Sequence, residues 1–250
     1  MIRLVRAELR KVRTTRLWLG LLLGGLLMSL IGAVVLVAIA GTPEGRAAGL
    51  LPLRDARDVV ILIETASVIS VFALVCGATI ATNEYRYGTA AVSALATPAR
   101  WRVLTAKVLA AVPVGFGYGL AAATTPLVVS AVVFLSRGEV VPFGGAALWA
   151  MARVGIQAAY AAAVGVGVGA ALRSQLATIL SLLGWQLIVE PIAAPLIPDI
   201  AKYSPFVGAM GAFGASGEAL VPMWTGAGLM LAYIATAWYV AWWLDRRRDV

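Results

Sequence analysis

Apolar residues fall in six long runs, over 17–40, 59–82, 103–135, 146–172, 176–198 and 222–244, separated by short polar segments. A helix of about 20 apolar residues crosses a hydrocarbon core about 30 Å thick, so each run predicts a transmembrane helix. The third run is too long for one upright helix and too short for two with a loop. With Pro113 and Pro126 inside it, it predicts one tilted or kinked helix with an extension beyond the membrane. The fifth is interrupted by Glu190-Pro191 and then by Pro195 and Pro198. Proline disfavours helix at the residue before it, so this helix is expected to end near Glu190. Residues 191–221 are then expected as short helical pieces at the far interface, covered by protein rather than lipid.

Ahead of these runs, residues 1–16 show a different period. Ile2, Val5, Leu9 and Val12 form one helical stripe, and Arg3, Arg6, Arg10 and Arg13 form another, offset by one residue. That offset is roughly 100° around the axis. An apolar stripe bordered by arginines predicts an amphipathic helix lying in the membrane interface. A secretory signal peptide is the competing reading. The run 17–40 is far longer than such a peptide's apolar region, and no small-x-small cleavage site ends it.

Composition agrees with the pattern. Of the 250 residues 61% are hydrophobic and 13% charged, whereas soluble domains are about 25% charged. There is no histidine and one cysteine, Cys76, read as a buried small side chain. These counts exclude an internal disulfide, argue against a zinc, copper or haem site, and remove Ser-His-Asp and Cys-His catalysis. The net charge of +8 does not form a nucleic-acid face, because the basic residues cluster at the ends of the apolar runs. With the N-terminus in the cytoplasm and six crossings, 14 of the 20 basic residues lie in cytoplasmic segments; Glu44, Asp55, Asp58, Glu139, Asp199 and Glu218 lie outside. This asymmetry predicts both termini inside. Without a repeat or linker, residues 1–250 read as a single membrane domain.

The segment 81–107 is the most informative. Asn83, Glu84 and Arg86 stand at the exit of the second run, and Gly88-Thr89 could begin a short helix with Thr89 as its N-cap. Val92, Leu95 and Ala96 give that helix an apolar face, and Thr97-Pro98 ends it. Arg100, Arg102 and Lys107 anchor the next run. Such a helix under the membrane would suit a cytosolic partner that delivers force; a plain basic connecting loop is the alternative.

At several points the sequence resembles the ABC-2 type permeases. Residues 6–18 (Arg-Ala-Glu-Leu-Arg-Lys-Val-Arg-Thr-Thr-Arg-Leu-Trp) look like the start of that family's elbow helix. Residues 83–89 (Asn-Glu-Tyr-Arg-Tyr-Gly-Thr) and 97–107 (Thr-Pro-Ala-Arg-Trp-Arg-Val-Leu-Thr-Ala-Lys) resemble its cytoplasmic E-x-R-x-G-T…P-x-R…K signature. Val189-Glu190-Pro191 and Tyr203-Ser204-Pro205 resemble its fifth span and outer re-entrant segment. The resemblance covers nearly the whole chain and implies an all-α membrane protein of type V exporter-like architecture: six transmembrane helices, an elbow helix over 1–16 and a cytoplasmic coupling helix. It further implies a bacterial cytoplasmic membrane location, a second permease copy or sister permease, and a separate ABC ATPase subunit that binds ATP and Mg. The chain has no G-x-x-x-x-G-K-[ST] motif of its own and is expected to hold no cofactor. Asn83, Glu84, Arg86, Gly88, Thr89, Thr97, Pro98 and Arg100 would couple it to that ATPase. The substrate class expected is a drug, peptide or lipid-like molecule. A membrane-embedded enzyme and a non-transport scaffold are the alternatives.

Three polar residues stand inside or near the spans. Glu64 is expected to reach outward to the interface, with a contact to substrate or a pairing with Arg153 as its alternatives. Glu190 is expected to hold the re-entrant segment by accepting backbone hydrogen bonds. Glycines four apart (Gly20/Gly24, Gly115/Gly119, Gly165/Gly169) allow close helix approach and are read as packing. Trp238, Tyr239, Trp242 and Trp243 before Arg246–Arg248 read as an aromatic belt with a basic stop.

Overall fold

The computed structural model describes residues 1–40, 42–43, 53–89, 99–214 and 220–247. Among these residues every regular element is a helix. In chain order they are α1 (Ile2–Thr14), α2 (Leu17–Ala40), α3 (Ala56–Glu64), α4 (Ile69–Arg86), α5 (Arg100–Ser136), α6 (Gly145–Leu172), α7 (Gln175–Gly184), α8 (Glu190–Leu196), α9 (Pro198–Ala201) and α10 (Met223–Arg247). A 3-10 turn, Thr65–Val68, joins α3 to α4, and a π turn, Trp185–Val189, joins α7 to α8.

Among the described residues six helical stretches are long and apolar enough to cross a membrane: Leu17–Ala40, Ala56–Arg86, Arg100–Ser136, Gly145–Leu172, Gln175–Leu196 and Met223–Arg247. The chain is thus a multi-pass membrane protein, with the spans where the apolar runs predict them. The second starts three residues earlier than its run because Asp55 caps it. Asp55 Oδ1 accepts from Arg57 N (2.8 Å) and Asp58 N (3.1 Å), and Asp58 Oδ2 accepts in return from Asp55 N (3.2 Å). The third is one continuous helix of 37 residues carrying both Pro113 and Pro126. At 1.5 Å per residue it is about 55 Å long, well beyond the hydrocarbon core.

The fifth span departs from expectation. It does not end at Glu190 but runs on through α8 to Leu196. The reason lies just before the proline. In the π turn the amide of Glu190 bonds to Trp185 O, five residues back instead of four. The widened turn takes in Pro191, which has no N–H to offer and whose ring would crowd a regular turn. Only after Leu196 does the chain break into short pieces: α9, a π turn at Pro205–Met210 and a 3-10 turn at Gly211–Phe213.

α6 is the central helix. Of its most apolar stretch 78% is buried, because its run of alanine, glycine and valine lets α4 and α5 lie against it backbone to backbone. A Cβ added at Gly77 or Gly165 would strike the carbonyl oxygen of Ala162 or Leu74 across the α4–α6 contact. Gly115 and Gly119 are closed in the same way by Ala158 and Gly155 on the α5–α6 side. Gly24 meets the Phe72 ring, whereas Gly20 faces open space, so that pair is only half used. A second apolar cluster, around Tyr160, Val164, Phe206, Ala209 and Met230, packs the irregular segment between α6 and α10.

Both terminal segments lie at the same end of the bundle. α1 is tied to Lys107 near the start of α5, and Asp245 near the end of α10 meets Arg100 at the start of α5. Residues 90–98, with the expected coupling helix and with Thr97 and Pro98, lie outside the described residues.

Candidate functional site

α1 buries Val12 of its apolar stripe together with Glu8, a residue that the stripe did not single out. Ile2 is 76% exposed, and the two buried positions are Val12 and Glu8, the latter only 5% exposed. Arg3, Arg6, Arg10 and Arg13 all point away, as the second stripe requires. A buried carboxylate needs partners, and Glu8 has two. Its Oε1 accepts from Lys11 Nζ at 2.7 Å and its Oε2 from Lys107 Nζ at 3.1 Å.

The same two lysines converge on Glu84 at the end of α4. Lys11 Nζ lies 2.7 Å and Lys107 Nζ 3.0 Å from Glu84 Oε1. The four side chains thus alternate in sign around a closed quartet joining α1, α4 and α5. Lys107 is buried, and its ammonium also donates to Ile80 O at 3.4 Å, so three acceptors match its three protons. Partial burial opposes the charge on Lys11, but the hydrogen bonds it donates to Glu8 and Glu84 outweigh that and hold the ammonium above the usual lysine range. A cavity of about 360 Å³ adjoins the quartet, between α1, the start of α2 and the last turns of α4.

Glu84 is carried by a helix end with a defined stop. Gly88 is left-handed (φ +67°), Thr89 N donates to Glu84 O at 2.9 Å and Gly88 N to Tyr85 O at 3.4 Å. This is a Schellman cap. Gly88 therefore supplies one fixed conformation rather than loose freedom at a bend. Thr89 completes the cap of α4; the helix it was expected to start lies in 90–98, outside the described residues. Asn83 lines the cavity, and Arg86 reaches across to Gln175 Oε1 at 3.0 Å while its guanidinium lies 5.6 Å from the Tyr87 ring centre.

A second charged group lies at the same end. Asp245 of α10 takes Arg173 Nη2 at 2.6 Å and Arg100 Nη1 at 3.7 Å, and Arg100 also donates to Asp245 O at 3.2 Å. Arg173 ends α6 in the left-handed region (φ 55°) and lies over the Tyr85 ring. Arg100, expected to act in coupling, is thus a tie between α5 and α10. Trp238 donates to Thr105 Oγ1 at 3.2 Å, so one member of the aromatic belt also joins these two helices.

At the opposite end, Glu64 does not reach outward. It pairs with Arg153 of α6 at 3.0 Å, and Arg153 Nη1 donates to Gly214 O at 3.2 Å. In a half-buried setting the pairing of opposite charges outweighs an excursion to the interface. Glu190 behaves as expected. It is 3% exposed and accepts from Val207 N (2.6 Å), Phe206 N (3.0 Å), Ser204 Oγ (2.9 Å) and Trp185 Nε1 (2.5 Å).

Sequence reasoning singled out Glu84 but not its partners. Glu8 was the available signal: it is the one acid among the six basic residues of 1–16. Lys107 read as an interfacial anchor because its distance from the second span could not be seen in the chain. Comparison of the chain with family models, with curated proteins and with solved structures gives no match.

Proposed function

We propose that this chain is the permease subunit of an ATP-binding cassette exporter of the ABC-2 type, seated in a bacterial cytoplasmic membrane with both termini inside. The observation that carries this reading is the quartet of Glu8, Lys11, Glu84 and Lys107. It binds the amphipathic first helix, the exit of the second span and the entry of the third into one stiff unit, immediately ahead of residues 90–98. A membrane subunit driven by a separate motor needs such a joint where force arrives, so that a push on the connecting segment moves two spans together. Asn83, Glu84, Arg86, Gly88, Thr89, Thr97, Pro98 and Arg100 would form and support the contact with the ATPase. That partner would bind ATP and Mg. Two permease copies, or this chain and a sister permease, would open alternately to the two sides and move a drug, peptide or lipid-like substrate outward.

The test is co-expression with the ATPase encoded beside the gene, purification of the chain, and reconstitution in lipid vesicles. A stable complex whose ATP hydrolysis depends on the permease is expected. Failure of the two chains to co-purify, with a neighbouring gene that encodes no ATPase, would sink the proposal.

A further inference from the structure

We propose that the cavity beside the quartet holds the head group of a membrane phospholipid that is zwitterionic, carrying an ammonium and a phosphate together. The inference does not rest on the transport reading; it needs only a chain that sits in a bilayer. Three features of the cavity point to this occupant.

The first is position and size. The cavity lies where α1 meets the start of α2, with Leu17 and Trp18, the first residues of the first span, in its wall. That is the level at which a membrane-spanning helix leaves the hydrocarbon for the head groups. Its volume of about 360 Å³ is within the range of about 300–1,000 Å³ typical of small-molecule sites.

The second is charge. Among the described residues that line it, two carboxylates and two ammoniums face one another, and their formal charges sum to zero. A head group with a net charge would enter a half-buried space whose described lining charges already balance. A zwitterion adds none.

The third is the arrangement of donors and acceptors. The hydroxyls of Thr14, Thr15 and Thr79 line the cavity but donate to their own helices, to Lys11 O (2.9 Å), Val12 O (2.8 Å) and Cys76 O (2.7 Å). What they offer an occupant is oxygen lone pairs, which suit an ammonium. The side chain of Lys11 is 52% exposed, and its ammonium has a third N–H, beyond those given to Glu8 and Glu84, for a phosphate oxygen. Val12, Leu17, Trp18 and Ile80 supply the apolar wall that the glycerol and first methylenes require.

The full-length protein, delipidated in detergent, is incubated with each probe, and bound probe is counted by native mass spectrometry. Dioleoyl phosphatidylethanolamine is expected to be retained at one copy per chain at a concentration several-fold below that which dioleoyl phosphatidylglycerol needs. Soluble phosphoethanolamine at the same concentration should not be retained, because it lacks the methylenes. Thr79→Phe, which fills the cavity, should abolish retention of phosphatidylethanolamine in native mass spectra of the undelipidated protein. Equal retention of the two lipids, equal retention of the soluble head group, or retention of none of them would each overturn the proposal. The wild-type comparison decides the matter even if the Thr79 variant fails to fold.

Discussion

Glu8 Oε2 accepts a hydrogen bond from Lys107 Nζ at 3.1 Å, joining the first helix to the third span across 99 residues of sequence. Both side chains are almost wholly buried, at 7% and 6% exposure, so this is an internal pair and not a surface one. Removing one partner of such a pair leaves the other charged in a place that cannot solvate it. Glu8→Gln or Lys107→Met alone should therefore destabilise the protein by about 3 kcal/mol, whereas the double variant should recover much of that loss. Thermal unfolding of the four proteins in one detergent, read as a double-mutant cycle, measures it. Additive losses would mean that the pair is not coupled.

The π turn before Pro191 determines where Glu190 points. Pro191→Ala restores an N–H that a regular α-turn can use, and the turn can then tighten to four-residue bonds. Loss of the extra residue turns the helix by roughly 100° and carries Glu190 away from the amides of Phe206 and Val207. Hydrogen exchange at those two amides should accelerate in the variant, while exchange in α6 stays as it was. Unchanged protection at Phe206 and Val207 would show that the π turn does not depend on the proline. If the chain is an exporter subunit, export should fall while assembly with the ATPase survives.

Gly88 is left-handed with nothing near its missing Cβ, so backbone strain and not a clash would oppose a side chain there. Gly88→Ala should cost about 1 kcal/mol and Gly88→Val more, while Gly88→Asn should be tolerated best. Melting temperatures in that order are the expected result. Under the proposed function, Gly88→Val and Glu84→Ala should also reduce permease-dependent ATP hydrolysis with membrane insertion intact. Full transport by both variants would leave 83–100 as a mere connector.

Two glycines make opposite predictions from the same substitution. Gly77→Ala places a methyl against the Ala162 carbonyl at the centre of the bundle and should sharply lower the yield of folded protein. Gly20→Ala meets open space in a regular helix and should be neutral or stabilising by up to about 1 kcal/mol. Size-exclusion profiles of the two variants after detergent extraction distinguish them.

The charge asymmetry predicts sidedness. Reporter fusions after residue 16, within 90–100 and after residue 248 should report the cytoplasm, and fusions within 44–56, 137–144 and 203–218 the outside. An outside signal from 90–100 would overturn both the orientation and the coupling role.

Much of the fold was legible in the chain because lipid imposes one rule everywhere: an apolar run long enough to cross must be a helix with its own hydrogen bonds satisfied. That rule located all six spans, allowed Pro113 and Pro126 inside one long helix, and made Glu190 a plausible clasp for the irregular segment after it. The same rule says nothing about which faces meet. Ile2, Val5, Leu9 and Val12 read as the stripe that α1 lays into the membrane interface, yet Val12 packs on the bundle together with Glu8, because Lys107 and Glu84 stand there. Glu64 looked able to reach the interface until Arg153 proved to stand opposite it.

The sequence by itself determined the number of apolar runs long enough to cross, their approximate limits, the amphipathic first helix and, with no histidine and one cysteine, that no disulfide forms within these residues. These follow from composition and from periods of a few residues, which are local properties. Only the tertiary structure decided that Glu8, Lys11, Glu84 and Lys107 form one quartet beside a cavity, that Asp245 ties α10 to α5 and α6, and that a π turn carries the fifth span past its proline. Ion pairing acts over a few ångströms in space, and nothing in the spacing of charges along a chain records which helices will stand side by side.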